Sequence, residues 1–246
     1  MKGDNIAIIL GRKGSKGFKD KNTMSILGKP AYEYAIDAAK KCKLINKVYF
    51  STDIPEIIDK SEAYGINIIK RPRYLANSKA LFEDALYHAY QKIKKKHKEK
   101  INLVTILMAN AVTVNAKLIE KGINLLRKNK KADSAVTVST FNMYSPLRAR
   151  KLNENGFLDP FVEFEHFGDP KTLNCDRSSQ GDCYFADMSY SISRASALDD
   201  IENGLLPQKW MGKKILPVLN NFGCDIDEEW QLDMSIRWLK KNNKSK

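Results

Sequence analysis

Cysteine and histidine are scarce in this chain. Four cysteines (Cys42, Cys175, Cys183, Cys224) and three histidines are spread over 246 residues, with no Cys-x-x-Cys pair. That scarcity argues against a zinc site and against a disulfide framework, and it fits a reducing cytoplasm. The remaining cysteines read as small buried hydrophobes. Long apolar runs are missing too: no stretch approaches a membrane span. The opening MKGDNIAIIL has too short an apolar run to be expected as a signal peptide. Acidic residues are outnumbered, 29 against 42 Lys and Arg, for a net charge of +13. Such an excess is compatible with a solvated lysine-rich surface, with an anionic small substrate, or with nucleic acid. The lysines are scattered, without the basic and aromatic clustering that nucleic-acid binding favours, so that reading is the weakest of the three. The one dense run, KIKKKHKEK at Lys92–Lys100, closes a predicted helix, where cations suit the negative end of the dipole.

What is present is a regular alternation of strand and helix signals over the first 140 residues. NIAIIL reads as a buried strand, and Ala31, Tyr34, Ala35, Ala38 and Ala39 then recur at helical spacing. KVYFST is a second strand. It is followed by a helix from Ile54 to Tyr64 that Gly65 closes. INIIK, INLVTILM and DSAVTVS are further strands, separated by helices around Leu81–Ile93 and AKLIEKGINLLRKN. This pattern predicts a mostly parallel sheet with helices on both faces. Hydrophobic content of 43% is enough for the core of one such domain. From Phe141 to Gln180 the periodicity fails amid Pro, Gly, Asn and aromatics, over a length that a simple loop does not reach. The expected organisation is an α/β domain from 1–140 and 181–246, with an inserted arm or small lobe at 141–180. MSYSIS reads as a strand returning to the main sheet. EEWQLDMSIRWLKK reads as a terminal amphipathic helix carrying Trp230, Met234 and Trp238.

Two stretches carry chemistry. The first is IAIILGRKGSKGFKDKN, where a buried strand gives way to a glycine-rich turn crowded with cations. In open α/β sheets ligands bind beyond the carboxyl ends of strands. Gly11, Gly14 and Gly17 permit tight curvature and let backbone N–H groups approach an anion, while Arg12, Lys13, Lys16, Lys19 and Lys21 neutralise phosphate oxygens. The loop matches neither the P-loop pattern nor G-x-G-x-x-G, which argues against a P-loop ATPase and a dinucleotide-dependent dehydrogenase. The second stretch is Asp225-Ile226-Asp227. In extended backbone, residues two apart share a side, and two such carboxylates make a hard oxygen site suited to Mg²⁺. The competing reading is a polar loop in which Asp227 caps the last helix.

The wider pattern resembles the acylneuraminate cytidylyltransferases, the CMP-sialic acid synthetase family, along nearly the whole chain. Arg12, Gly14, Ser15, Lys16, Gly17, Lys21 and Asn22 match that family's opening, with Gly28, Lys29 and Pro30 after them, while Gly11 and Lys13 replace the usual Ala and Gly. STD (Ser51–Asp53), RPRYLA, SPLRARKLNENG and DIDEEWQLD follow in order. The resemblance implies a Rossmann-like fold of the nucleotide-diphospho-sugar transferase kind, with the inserted arm building a homodimer. It implies that the anomeric hydroxyl of a nonulosonic acid attacks the α-phosphorus of CTP and pyrophosphate leaves. Gly11, Arg12, Gly14, Ser15, Lys16 and Lys21 would cradle the triphosphate, and Asn22 and Arg71 would contact base and ribose. Asp225 and Asp227 would hold Mg²⁺, and Arg12, Lys21 and Asp227 would act closest to the reacting phosphate. On the sugar side, Arg148 and Arg177 match basic positions near the sugar carboxylate, and Tyr184 keeps an aromatic. Met108 stands where the family has glutamine. That side has drifted, which points to an acceptor other than ordinary sialic acid. The alternatives are a related nucleotidyltransferase for a 3-deoxy-octulosonate or another sugar and, more remotely, a basic nucleic-acid-binding protein.

Overall fold

The computed structural model describes residues 3–14 and 18–243. By internal contacts the chain divides into two compact units, 1–137 with 187–246 and 138–186. Along the chain, β1 (Asp4–Leu10) leads through a small ribbon, β2 (Ser25–Ile26) and β3 (Lys29–Pro30), to α1 (Ala31–Lys41). Next come β4 (Lys47–Thr52), α2 (Pro55–Asp59), α3 (Ser61–Tyr64), β5 (Asn67–Lys70) and α4 (Phe82–Lys96). Then follow β6 (Ile101–Met108), α5 (Ala116–Lys128) and β7 (Ser134–Thr140). The second unit contributes β8 (Arg150–Leu152) and β9 (Leu158–Pro160). The chain closes with β10 (Tyr184–Arg194), α6 (Ala195–Asp199), β11 (Ile215–Leu219) and α7 (Glu229–Asn243).

The main sheet has seven strands in the order β11-β7-β10-β6-β1-β4-β5. β1 pairs in parallel with both β4 and β6, and β4 pairs in parallel with β5, while β10 runs antiparallel to β6. The expected mostly parallel, Rossmann-like α/β sheet is therefore present. β1 is buried from Asn5 to Leu10, as a strand covered on both faces must be. Its alternate residues Ala7 and Ile9 join one apolar cluster with Ala35 and Ala39 of α1, Val48 and Phe50 of β4, and Ile119 and Ile123 of α5. α4 packs against β1, β4 and β5. α5 starts where the Asn115 side chain accepts from the Leu118 amide at 2.9 Å. It lies close on β10 because Gly122 has no side chain: a Cβ there would stand 2.5 Å from the Tyr190 hydroxyl.

Several elements depart from the sequence expectation. The helix expected over 54–64 breaks at Lys60 into α2 and α3, with Gly65 left-handed at the end (φ 60°). β11 was not expected, since Pro217 interrupts its apolar run; it lies at the sheet edge, where a missing N–H is tolerated. α7 buries Ser235 and Leu239, with Leu232, Ile236 and Trp238 partly buried against the core, whereas Trp230 and Met234 point outward. Cys175 is exposed and not a core residue, while Cys42 is buried; all four thiols are free. Among the described residues no helix is long and apolar enough to cross a membrane.

Candidate active site

Parallel strands present their carboxyl ends on one edge, so the segments leaving β1, β4, β5 and β6 meet there. β1 lies between β4 and β6, which places its exit at the topological switch of the sheet. A cleft of about 200 Å³ opens at this edge. Gly11, Arg12, Lys21 and Asn22 line it from the loop after β1, Arg71 from the end of β5, Met108 and Asn110 from the end of β6, and Asp225 from the segment before α7. Its apolar wall is made by Leu10, Leu75, Leu81 and Phe82. A second hollow of about 190 Å³, lined by Arg12 to Gly14, Asp20 to Thr23 and Ile54 to Glu56, lies on the same loop.

The loop after β1 is held at several points. The Gly11 amide donates to the Ser51 carbonyl at 3.2 Å. The Lys13 amide donates to Asp53 Oδ1 at 2.8 Å. Asn22, buried at the far end, donates through Nδ2 to the Arg12 carbonyl at 2.8 Å and accepts the Tyr32 amide on its own carbonyl. Gly14 has φ 69°, a left-handed conformation that a side chain disfavours. The Arg12 guanidinium folds over the turn and donates to the Gly14 carbonyl at 2.8 Å. Ser15, Lys16 and Gly17 lie outside the described residues.

Lys21 forms an ion pair with Asp227. Its ammonium is little exposed; burial pulls its pKa down, the charge of Asp225 pulls the other way, and Arg12 adds to the depression. The basic loop and the acidic segment, 206 residues apart in sequence, thus meet through side chains. Asp227 does not cap α7. The side-chain Oε1 of Gln231 accepts from the backbone amides of Asp227 and Glu228, each at 2.7 Å, and so leaves the Asp227 carboxylate to Lys21. Asp225 and Asp227 flank Ile226, whose side chain is fully buried. Asn110 clasps that residue on both sides: its Nδ2 donates to the Ile226 carbonyl at 3.0 Å, and its carbonyl accepts from the Ile226 amide at 3.2 Å. Among the described residues no group of three or more carboxylate, imidazole or thiol side chains gathers as a metal cage.

Arg71 is half-buried and not a surface residue. It donates through Nη2 to the Ser51 carbonyl at 2.9 Å and through Nε to the Ser51 hydroxyl at 3.4 Å. Burial lowers its pKa to about 10, with Asp53 opposing and Arg12 assisting. Met108 shares the cleft with these groups. Arg148 and Tyr184 belong to the second unit. There the Arg148 guanidinium donates to Gln180 Oε1 at 3.2 Å and to the Cys175 carbonyl at 2.6 Å. The Tyr184 hydroxyl donates to Asp182 at 3.2 Å. The Arg177 side chain lies outside the described residues.

Sequence reading missed Asn110 and gave Asp53 no role of its own. Asn110 gives no local signal, since its partner is 116 residues away. Asp53 did carry one, as the last residue of the STD stretch.

The sequence model of the family described as cytidylyltransferase matches residues 6–155. The chain belongs to the cytidylyltransferase family. The matched stretch contains the loop after β1, Asp53, Arg71 and Asn110. A pseudaminic acid cytidylyltransferase of Campylobacter jejuni is 26% identical over 98% of both chains. A Helicobacter pylori protein, pseudaminic acid cytidylyltransferase and UDP-2,4-diacetamido-2,4,6-trideoxy-β-L-altropyranose hydrolase, is 30% identical over 64% of this chain. The Escherichia coli N-acylneuraminate cytidylyltransferase is 38% identical over 34% of this chain. The matched stretch spans only 30% of the Helicobacter protein and 20% of the Escherichia coli one. The solved structure of CMP:2-keto-3-deoxy-manno-octonic acid synthetase complexed with CTP has the same fold. Its TM-score is 0.68 at 14% identity, covering 97% of this chain and 99% of that one.

Proposed function

We propose that the chain transfers CMP from CTP to the anomeric hydroxyl of a nonulosonic acid, releasing pyrophosphate. The observation that carries this reading is the meeting of Lys21 with Asp227 beside the cleft that Arg12, Arg71 and Asp225 line. Phosphoryl-type transfer asks for positioning and charge neutralisation more than for covalent help from the protein. In this reading Arg12 and Lys21, with Ser15 and Lys16 of the same loop, bind the triphosphate and steady the leaving pyrophosphate. The Gly11 and Gly14 backbone follows the phosphates closely. Arg71 faces the base and ribose. Asn22 acts by holding the Arg12 carbonyl, so its contribution to the nucleotide is the shape of the loop.

The donor set suits Mg²⁺. That ion is commonly held by one or two carboxylates together with substrate phosphates, not by an all-protein cage. Asp225 and Asp227 are the residues that would hold it, Asp227 after exchanging its Lys21 partner. When bound, the ion neutralises charge on the phosphate oxygens. By the resemblance, Arg148, Arg177 and Tyr184 of the second unit are proposed for the acceptor, two guanidinium groups for a carboxylate and an aromatic ring; Met108 of the first unit is proposed on its own, a thioether where the family has an amide. The departures from the family's acceptor residues favour a nonulosonate other than N-acetylneuraminate. The acidic sugar and CTP are the small-molecule partners, and the cytoplasm, where free thiols persist, is the compartment.

The second unit carries Phe157, Phe161 and Phe167 more than half exposed, at 70%, 61% and 52%. We assign these to a homodimer contact, since apolar side chains gathered on one small unit favour burial against a second copy.

Pyrophosphate release tests the reaction. The chain is incubated with Mg²⁺, with CTP, UTP, ATP or GTP, and with a panel of nonulosonates, 3-deoxy-octulosonate and neutral sugars. Turnover with CTP and a nonulosonate supports the reading. A preference for another nucleotide, or turnover only with a non-nonulosonate sugar, overturns it.

A further inference from the structure

The triphosphate reading assigns roles to cations but leaves open what shapes the loop that carries them. We propose that Asp53 is a positioning residue, which sets the phosphate-binding curvature of the loop after β1 through its hydrogen bond to the Lys13 amide. The inference rests on the proposed CTP reading.

β4 lies between β1 and β5, so its carboxyl end is where the loop leaving β1 and the arginine leaving β5 can both be reached. Three backbone or side-chain donors converge there: Gly11 N and Arg71 Nη2 on the Ser51 carbonyl, and Arg71 N on the Thr52 carbonyl at 2.9 Å. Asp53 is the next residue. Its backbone is fixed from both sides, because Thr52 is fully buried and takes the Ile54 amide on its hydroxyl at 3.0 Å, and Ile54 is itself buried. An acceptor held this firmly gives the loop a defined height at Lys13, one residue before the left-handed turn at Gly14. Lys13 stands where the resembled family has glycine, so here the turn has less intrinsic freedom and its path depends more on such a tether. The Asp53 charge also acts on Arg71, and a rival account is that it only balances that charge.

Two substitutions separate these accounts. Asp53→Asn and Asp53→Ala remove the same charge, but only Asn keeps an oxygen able to accept from Lys13 N–H. Binding of CTP and of cytidine is measured by calorimetry for wild type and both variants, with the denaturation midpoint as a fold control. If the hydrogen bond positions the loop, Asp53→Asn binds CTP within about threefold of wild type or tighter, because an anion near the phosphates is gone. Asp53→Ala then binds CTP about tenfold more weakly than Asp53→Asn, while cytidine, which has no phosphates, binds the two alike. Equal CTP affinity in both variants overturns the proposal, as does an equal loss for cytidine and CTP. Should Asp53→Ala fail to fold, amide hydrogen exchange of Lys13 in wild type and Asp53→Asn replaces it. Protection in both supports the tether, and exchange at the rate of an unstructured peptide overturns it. A wild-type chain that binds no CTP would instead remove the functional reading, and the exchange measurement would still decide whether the tether exists.

Discussion

Gly11 stands where the resembled family has alanine, and the reason lies at the end of β6. A Cβ on Gly11 would stand 2.6 Å from the Cβ of Ala109, closer than two such carbons come. Gly11→Ala is therefore expected to destabilise by about 1–3 kcal/mol through overpacking. Gly11→Ala with Ala109→Gly is expected to recover most of that loss; a double-mutant cycle in chemical denaturation checks it. Arg71 supports a pH prediction. The folded state holds its guanidinium at about 10, well below the ordinary arginine value, so folding makes it release its proton earlier. Between those values the unfolded chain binds more protons, and this group's cost to stability shrinks as pH rises. The charge it offers to a nucleotide disappears in the same window. The expected result is that kcat/KM for CTP falls above about pH 10 with no loss of stability from this group, and that the fall is shallower in Arg71→Gln, where Lys21 still loses its charge. A pH profile of kcat/KM beside a denaturation series reads both. At this scale residue type alone made Lys21 and Asp225 candidates, and both line the cleft. It was silent where the role depends on a distant partner. Nothing in the residues around Asn110 announces that it grips Ile226.

Among the elements, the clasp between the end of β6 and the segment before α7 positions the acidic pair. Asn110→Ala leaves the buried Ile226 carbonyl without its side-chain donor, at an expected cost of about 1–3 kcal/mol. It should also weaken CTP binding, since Asp225 and Asp227 flank the residue that is gripped. Calorimetry with CTP, and urea denaturation with an unchanged slope, check the two effects. Elements buried on both faces were legible: β1, β4 and β6 are apolar runs bounded by polar turns. α7 was legible as a helix but not in its orientation, because Trp230 and Met234 made as good an apolar stripe as Leu232, Ile236 and Leu239. Packing against Ile26, Ala31, Val112 and Ile226 selected the second stripe. β11 was hidden by Pro217, which a central strand would not tolerate but an edge strand does.

On the scale of the whole molecule, the second unit spans Val138–Ala186, wider than the 141–180 expected where periodicity fails. β7 and β10 run across its boundaries, so strand signals there gave no hint of a separate body. If its exposed aromatics form the dimer contact, Phe157→Ser with Phe161→Ser should convert a dimer to a monomer and lower the melting temperature only by the association that is lost, because neither side chain is buried in the single chain. Light scattering at several concentrations reads the change, and a wild-type chain that is monomeric throughout removes the dimer from the account. The net charge of +13 acts at this scale as well. It favours capture of a polyanion at low ionic strength without specifying which one.

The sequence alone determined the alternation of strand and helix, and with it a parallel sheet whose strand exits face one edge. It also determined the chemistry placed there, glycine and cations after the first strand and paired carboxylates near the end. Those features are local, set by hydrophobic period and by residue type. The tertiary structure decided which of these groups meet: Lys21 with Asp227, Asn110 with Ile226, Lys13 with Asp53. Such contacts depend on strand order and close packing, which bring together side chains far apart in the chain, and no local pattern encodes them.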